Sequence, residues 1–157
     1  MISVATIHNA EDFAGMRKAG QLAAETLDMI AEYVKPGVTT ESLDKRCFEF
    51  ADKNNACIAP LFYKGFPKSV CTSINHVICH GIPSSRVLEE GDIVNIDVTV
   101  IVDGWHGDTS RMYKVGKINN KAQKLIDCTY EAMMLGINEI APNKKTGDIG
   151  NAIQKYS

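Results

Sequence analysis

Asp97 and Asp108 stand on either side of a turn-forming pair in the run Asn95-Ile96-Asp97-Val98-Thr99-Val100-Ile101-Val102-Asp103-Gly104-Trp105-His106-Gly107-Asp108-Thr109-Ser110. Asp103-Gly104 is a favoured two-residue hairpin turn, because both positions need positive φ and these residue types tolerate it best. A hairpin closed there sets Val102 opposite Trp105, Thr99 opposite Asp108 and Asp97 opposite Ser110. Side chains alternate between faces, so Asp97, Thr99, Asp108 and Ser110 share one side, with the aspartates diagonal neighbours roughly 7–8 Å apart at Cα. The other side of the first strand is Val94, Ile96, Val98, Val100 and Val102, wholly apolar. Two carboxylates this close repel, and facing a protein interior they are costly to desolvate unless something positive sits between them. One divalent cation, or a pair, answers that cost. Two unrelated aspartates on a solvated sheet face are the simpler alternative.

His80 lies in Ser73-Ile74-Asn75-His76-Val77-Ile78-Cys79-His80-Gly81-Ile82-Pro83 and is expected at a strand end just before a turn. An imidazole there could ligate a metal, or give and take protons beside the carboxylates. His76 is a candidate of the same kind, and His106 falls on the aspartate face in the hairpin register. Each is equally consistent with a hydrogen-bonded structural histidine.

The elements that must position these groups are readable from periodicity. Phe13, Met16, Gly20, Ala23, Leu27, Ile30 and Val34 recur at helical spacing after a plausible cap at Asn9, and Pro36-Gly37 stops the helix. Thr40 is expected to cap a second helix with Leu43, Cys47 and Phe50 on its inner face. Short β segments are expected near 57–62, 69–74 and 77–80, then the hairpin strands 92–102 and 105–115. A third helix follows Lys117-Ile118-Asn119-Asn120 to about 140, Pro142-Asn143 breaks it, and Thr146 opens a fourth.

The last two helices repeat the first two at a fixed offset of 106, relating Pro36 to Pro142, Thr40 to Thr146, Leu43 to Ile149, Cys47 to Ile153 and Phe50 to Tyr156. This divides the chain into a first pseudo-repeat, about 10–117, and a second, about 119–157, whose β segments would lie beyond Ser157. The fourth helix carries no glycine or asparagine C-cap signal, and repeat halves seldom bury their apolar faces alone. The expectation is one incomplete domain over 1–157, part of a longer protein. Chance recurrence of a common helix pattern is the competing explanation.

With 45% hydrophobic and 23% charged residues, the composition is that of an ordinary globular domain. A net charge of −2 gives no electrostatic reason to expect nucleic acid or an anionic membrane. Cys47, Cys57, Cys71, Cys79 and Cys128 are odd in number and never spaced Cys-x-x-Cys, which points to reduced thiols and a cytoplasmic protein. Met1 to Asn9 lacks the features of a secretory leader, and no apolar run is long enough to span a membrane.

Four runs carry a family resemblance: Pro67-Lys68-Ser69-Val70-Cys71, Cys79-His80-Gly81-Ile82-Pro83, Gly91-Asp92-Ile93-Val94-Asn95-Ile96-Asp97-Val98-Thr99 and Gly104-Trp105-His106-Gly107-Asp108-Thr109-Ser110. In order and spacing they resemble type I methionine aminopeptidases of the short bacterial kind, and the similarity extends over essentially the whole chain. The resemblance implies an α/β (α+β) pita-bread fold of the creatinase/aminopeptidase type, here its first half plus the opening helices of the second. It implies two divalent metal ions (cobalt, manganese, iron or zinc), with Asp97 matching the chelating carboxylate and Asp108 the bridging one. His80 matches the substrate-side histidine that hydrogen-bonds the peptide and assists proton movement; Tyr63 and Phe66 match the walls of the methionine pocket. Phe66 stands where tyrosine is frequent, and Pro60 where cysteine is common, which alters one pocket wall.

The family completes its site with a histidine and two glutamates from the second half, a region this sequence does not contain. The implied activity is removal of initiator methionine from nascent polypeptide N-termini by two-metal peptide hydrolysis, near ribosomes and in a monomeric complete protein. The isolated chain is expected to be weakly active or inactive. Two other readings compete: a non-catalytic pita-bread adaptor, which has no use for costly paired carboxylates, and a mononuclear iron triad, which normally brings two histidines and a His-x-Asp spacing missing here.

Overall fold

The computed structural model describes residues 6–157, so the expectation for Met1 to Asn9 lies, over Met1–Ala5, outside the described residues. The described chain divides into two compact units, Met1–Lys117 and Ile118–Ser157. Among the described residues no helix is long and apolar enough to cross a membrane.

In the first unit, helix α1 runs over Ala10–Ala31 and α2 over Thr40–Lys53, followed by strands β1 (Cys57–Ile58), β2 (Cys71–Ile74), β3 (Ile93–Val102) and β4 (Trp105–Lys114). Asn9 caps α1 by accepting from the Glu11 and Asp12 amides, and the Asp12 carboxylate accepts from the Asn9 amide in return. The cap of α2 is Thr39, whose hydroxyl accepts from the Ser42 amide, so Thr40 is the first helical residue and not the cap expected. Thr40 is buried instead, its hydroxyl accepting from the Ser84 amide and donating to the Ser84 carbonyl. Capping strength and burial compete for two adjacent threonines, and the buried partner at Ser84 is invisible to local sequence.

β3 is the centre of an antiparallel sheet. β4 pairs with it without interruption from Ile93 opposite Lys114 to Val102 opposite Trp105. β2 pairs with Asn95, Asp97 and their neighbours, and β1 with Val100 and Ile101. Val94, Ile96, Val98, Val100 and Val102 are buried, as the alternation predicts. α1 packs on that face through Ala19, Leu22, Ala23, Leu27 and Ile30, with Leu43, Cys47 and Ala51 of α2 in the same core. The buried stripe of α1 thus starts later than periodicity indicated, since Phe13 and Met16 are half-exposed.

Two of the expected β segments contract. Only Cys57–Ile58 is strand within 57–62, and 77–80 is no strand at all. Positive φ at Phe62, Asn75 and His80 breaks both segments, and β propensity carried no sign of those turns. Tyr113, almost buried on β4, donates its hydroxyl to the Leu27 carbonyl of α1 at 2.6 Å. Tyr113→Phe is expected to lower unfolding free energy by about 1 kcal/mol, read from the urea midpoint, the net worth of one buried hydrogen bond.

The second unit is an α-helical hairpin, α3 (Asn120–Asn138) and α4 (Thr146–Tyr156). The Asn119 side chain caps α3 by accepting from the Ala122 amide, and Asp148 accepts from the Lys145 amide at the start of α4. Ile149 and Ile153 of α4 lie against Gly136 of α3.

Candidate metal centre

The hairpin turn has positive φ at both Asp103 (51°) and Gly104 (85°), the conformation for which Asp-Gly was read. Because the ladder holds no bulge, Thr99 sits opposite Asp108 and Asp97 opposite Ser110. Asp97, Asp108 and His106 therefore emerge on the face away from α1, where they line one cleft of about 960 Å³. The Asn95 amide group, donating to the Ser110 hydroxyl at 3.3 Å, bridges the two strands on the same face.

The same cleft is lined by His80, Tyr63, Phe66 and Pro60, together with Cys71. Tyr63 and Phe66 belong to a tight turn in which the Phe62 amide donates to the Phe66 carbonyl and the Phe66 amide to the Tyr63 carbonyl. β1 ends three residues before this turn, and the Ala59 amide donates to the Thr99 carbonyl, which anchors the approach to the turn beside the carboxylate strand. His80, at φ 56°, is delivered by a loop laid against β2: the Thr72 amide donates to the Gly81 carbonyl at 2.7 Å, and the Gly81 amide to the Ser73 hydroxyl at 3.1 Å. A Cβ on residue 81 would lie 2.2 Å from the Thr72 carbonyl oxygen, so the approach demands glycine. His80 thus comes from a loop, not the strand end expected. His76 is not brought to the cleft; it lines a smaller cavity of about 280 Å³ with Thr72, Asn75 and Arg86.

Electrostatics mark Asp97. Burial, and then the neighbouring Asp108 charge, hold its carboxyl above the ordinary carboxylate range, with His80 pulling it back. Cys71, opposite Asp97 across the β2–β3 ladder, was missed as a cleft residue. Its thiol is pushed up to about 11, by burial first and then by Asp97, Cys79 and Asp108, so in the metal-free protein at neutral pH it is uncharged.

Among the described residues no group of three or more His, Cys, Asp or Glu side chains is arranged to hold a metal ion. A pair is present, and its chemistry fits: two hard carboxylate oxygen donors, directed to one side, whose mutual repulsion a divalent cation relieves. Asp97 and Asp108 would supply part of a coordination shell.

Known proteins resemble this chain along nearly all of its length. A methionine aminopeptidase of Rickettsia prowazekii is 62% identical over 151 residues, which are 96% of this chain and 58% of that protein. Its crystal structure superposes with a TM-score of 0.95 over 96% of this chain and 61% of its own. The crystal structure of methionine aminopeptidase from Thermotoga maritima, 30% identical, covers the same shares with a TM-score of 0.93. An Xaa-Pro dipeptidase from Bacillus anthracis, 21% identical, shares the fold, with a TM-score of 0.84 over 96% of this chain and 41% of its own. The α+β pita-bread class expected from the sequence is the class of these structures, and the chain spans about 60% of the length of its methionine aminopeptidase relatives. Residues 14–157 match metallopeptidase family M24, a span that takes in both aspartates, His80 and the aromatic turn, and to that family the chain belongs.

Proposed function

We propose that this chain contributes the carboxylate half of a two-metal aminopeptidase site that removes initiator methionine from the N-termini of nascent proteins in the cytoplasm. The observation that carries the reading is the single cleft lined by Asp97, Asp108, His80, Tyr63 and Phe66. The name methionine aminopeptidase on the 62%-identical relative supports it. Asp97 and Asp108 would hold the cations, manganese, iron, cobalt or zinc, and the remaining ligands would come from a second half of the kind the resemblance implies. When bound, such ions polarise a scissile carbonyl and lower the pKa of water toward neutrality. Tyr63, Phe66, Pro60 and the neutral Cys71 thiol offer an apolar wall for an unbranched thioether side chain. His80 presents an imidazole nitrogen to the peptide bond, holding the substrate and moving a proton toward the departing amine.

We read the two units as successive copies of one motif, 10–117 and 119–157, a reading supported by α2 and α4 beginning at Thr40 and Thr146, one offset of 106 apart. Two consequences can be measured. The chain alone, with manganese or cobalt, is expected to release little or no methionine from a methionyl tripeptide; turnover equal to that of the Rickettsia prowazekii relative overturns the half-site reading. A chimera that continues this chain with the C-terminal portion of that relative is expected to release methionine, and a folded chimera that does not overturns the function.

A further inference from the structure

The segment 75–92 brings His80 to the cleft, yet residues 75–80 are all exposed and no helix or strand holds them. An exposed loop of this kind carries a large conformational entropy, so a side chain on it points reliably only where the loop is tied down. Its later part, 84–88, is bonded to the start of α2 and the residues before it, with the Thr40 amide donating to the Arg86 carbonyl and the Glu41 amide to the Ser84 carbonyl. A second set of ties converges on one carboxylate that also reaches the N-terminal root. Asp92, 6% exposed, lies at the C-terminal root of the segment. Its Oδ1 accepts from Asn75 Nδ2 at 2.8 Å, and its Oδ2 accepts from Arg86 Nη2 at 3.0 Å and from the Glu89 amide at 2.9 Å. Asn75, at the N-terminal root with φ 52°, donates its amide to the Ile93 carbonyl and accepts at Oδ1 from the Ile93 amide, both at 3.0 Å.

A buried carboxylate is costly unless its lone pairs are filled, and three donors from separate parts of one loop fill these. The arrangement clamps both roots and the middle of the segment at a single point. The two hydrogen bonds flanking His80, between Thr72 or Ser73 and Gly81, can form only when the loop already lies against β2. We infer that Asp92 is a positioning residue for His80: through Asn75 and Arg86 it holds the loop in the one conformation that points the imidazole at the Asp97–Asp108 cleft. The inference rests on the reading above only for the role it gives His80; the clamp itself is independent of it.

The test uses the 157-residue chain, its Asp92→Asn and Asn75→Ala variants, and manganese as a paramagnetic probe. Asp92→Asn keeps the shape but turns an amide toward Arg86 and the Glu89 amide. By amide hydrogen exchange, the Gly81 and Ser84 protons are expected to exchange at least about tenfold faster in both variants, while Val98 and Val100 in β3 stay within about threefold of wild type. Manganese affinity is expected to stay within about twofold, because Asp97 and Asp108 are untouched, while its relaxation broadening of the His80 ring signals falls. Unchanged Gly81 exchange and unchanged His80 broadening overturn the inference, and so does equal loss of protection in β3, which would make Asp92 a residue of the whole fold. If Asp92→Asn does not fold, Asn75→Ala carries the same readouts. A wild-type chain that binds no manganese sinks the metal reading, while the exchange results still decide the clamp.

Discussion

Gly107→Ala is expected to destabilise the first unit by about 3 kcal/mol or more, a large share of a typical domain's stability. A Cβ at this position would lie 2.1 Å from the Ala19 carbonyl oxygen, 2.3 Å from its carbon and 2.7 Å from the Gly20 nitrogen. All three are backbone atoms of α1, so no rotamer change relieves the clash; either the helix lifts from β4 or the strand shifts. Ala19 and Ala23 are fully buried at this contact, which makes lifting the helix expensive. Shifting the strand instead moves His106 and Asp108, the flanking residues that face the cleft. Gly20→Ala is the matching control. Nothing lies within 4 Å of its added Cβ and the position is helical, so it is expected to raise stability by about 0.5–1 kcal/mol. Urea unfolding of the three chains checks both signs, and a loss below about 1 kcal/mol at position 107 would show that α1 and β4 do not approach this closely.

The contrast between these glycines shows where sequence reading stops. Both face α1 or lie within it, and neither composition nor periodicity separates the one that admits a side chain from the one that does not. The hairpin was legible because its register is local: a two-residue Asp-Gly turn fixes every pair from Val102–Trp105 to Ile93–Lys114. β2 has no such turn. It reaches β3 through the segment 75–92, so nothing nearby states that Cys71 stands opposite Asp97, and Cys71 was read only as one of five reduced thiols. Tyr63 and Phe66 were placed by resemblance and not by pattern, and His80, read from the residues as a candidate, was expected at a strand end, because the loops that carry them use positive φ at the non-glycine residues Phe62, Lys64, Asn75 and His80. On the segment that carries His80, the Asn75 side chain bonded to Asp92 and to the Ile93 amide is what holds that residue at its positive φ.

In metal-free buffer at neutral pH, Asp97→Asn is expected to be more stable than the wild type, and manganese is expected to reverse the order. Folding brings the Asp97 carboxylate beside Asp108 and half-buries it, which is why its carboxyl sits above the ordinary range. The unfolded chain separates the two charges, so the repulsion is a cost of the folded state alone. An amide of the same shape removes that cost and needs no proton. Asp108→Asn relieves the same repulsion from the other side, so the double variant is expected to gain less than the sum of the singles. Manganese acts in the opposite direction. Binding to the folded wild type adds stability as the ion concentration passes its dissociation constant, about 2.7 kcal/mol at a hundredfold excess. Each single variant keeps one carboxylate and gains less, and the double variant gains nothing. Urea midpoints of the four chains, in chelator and in manganese, supply the complete cycle. Equal manganese shifts in all four place the ion elsewhere on the protein, whereas a shift that disappears only when both aspartates are replaced makes the paired carboxylates the anchor of the site. Repulsion tolerated without metal and repaid with it is a cost that neither a solvated sheet face nor an adaptor surface has reason to carry.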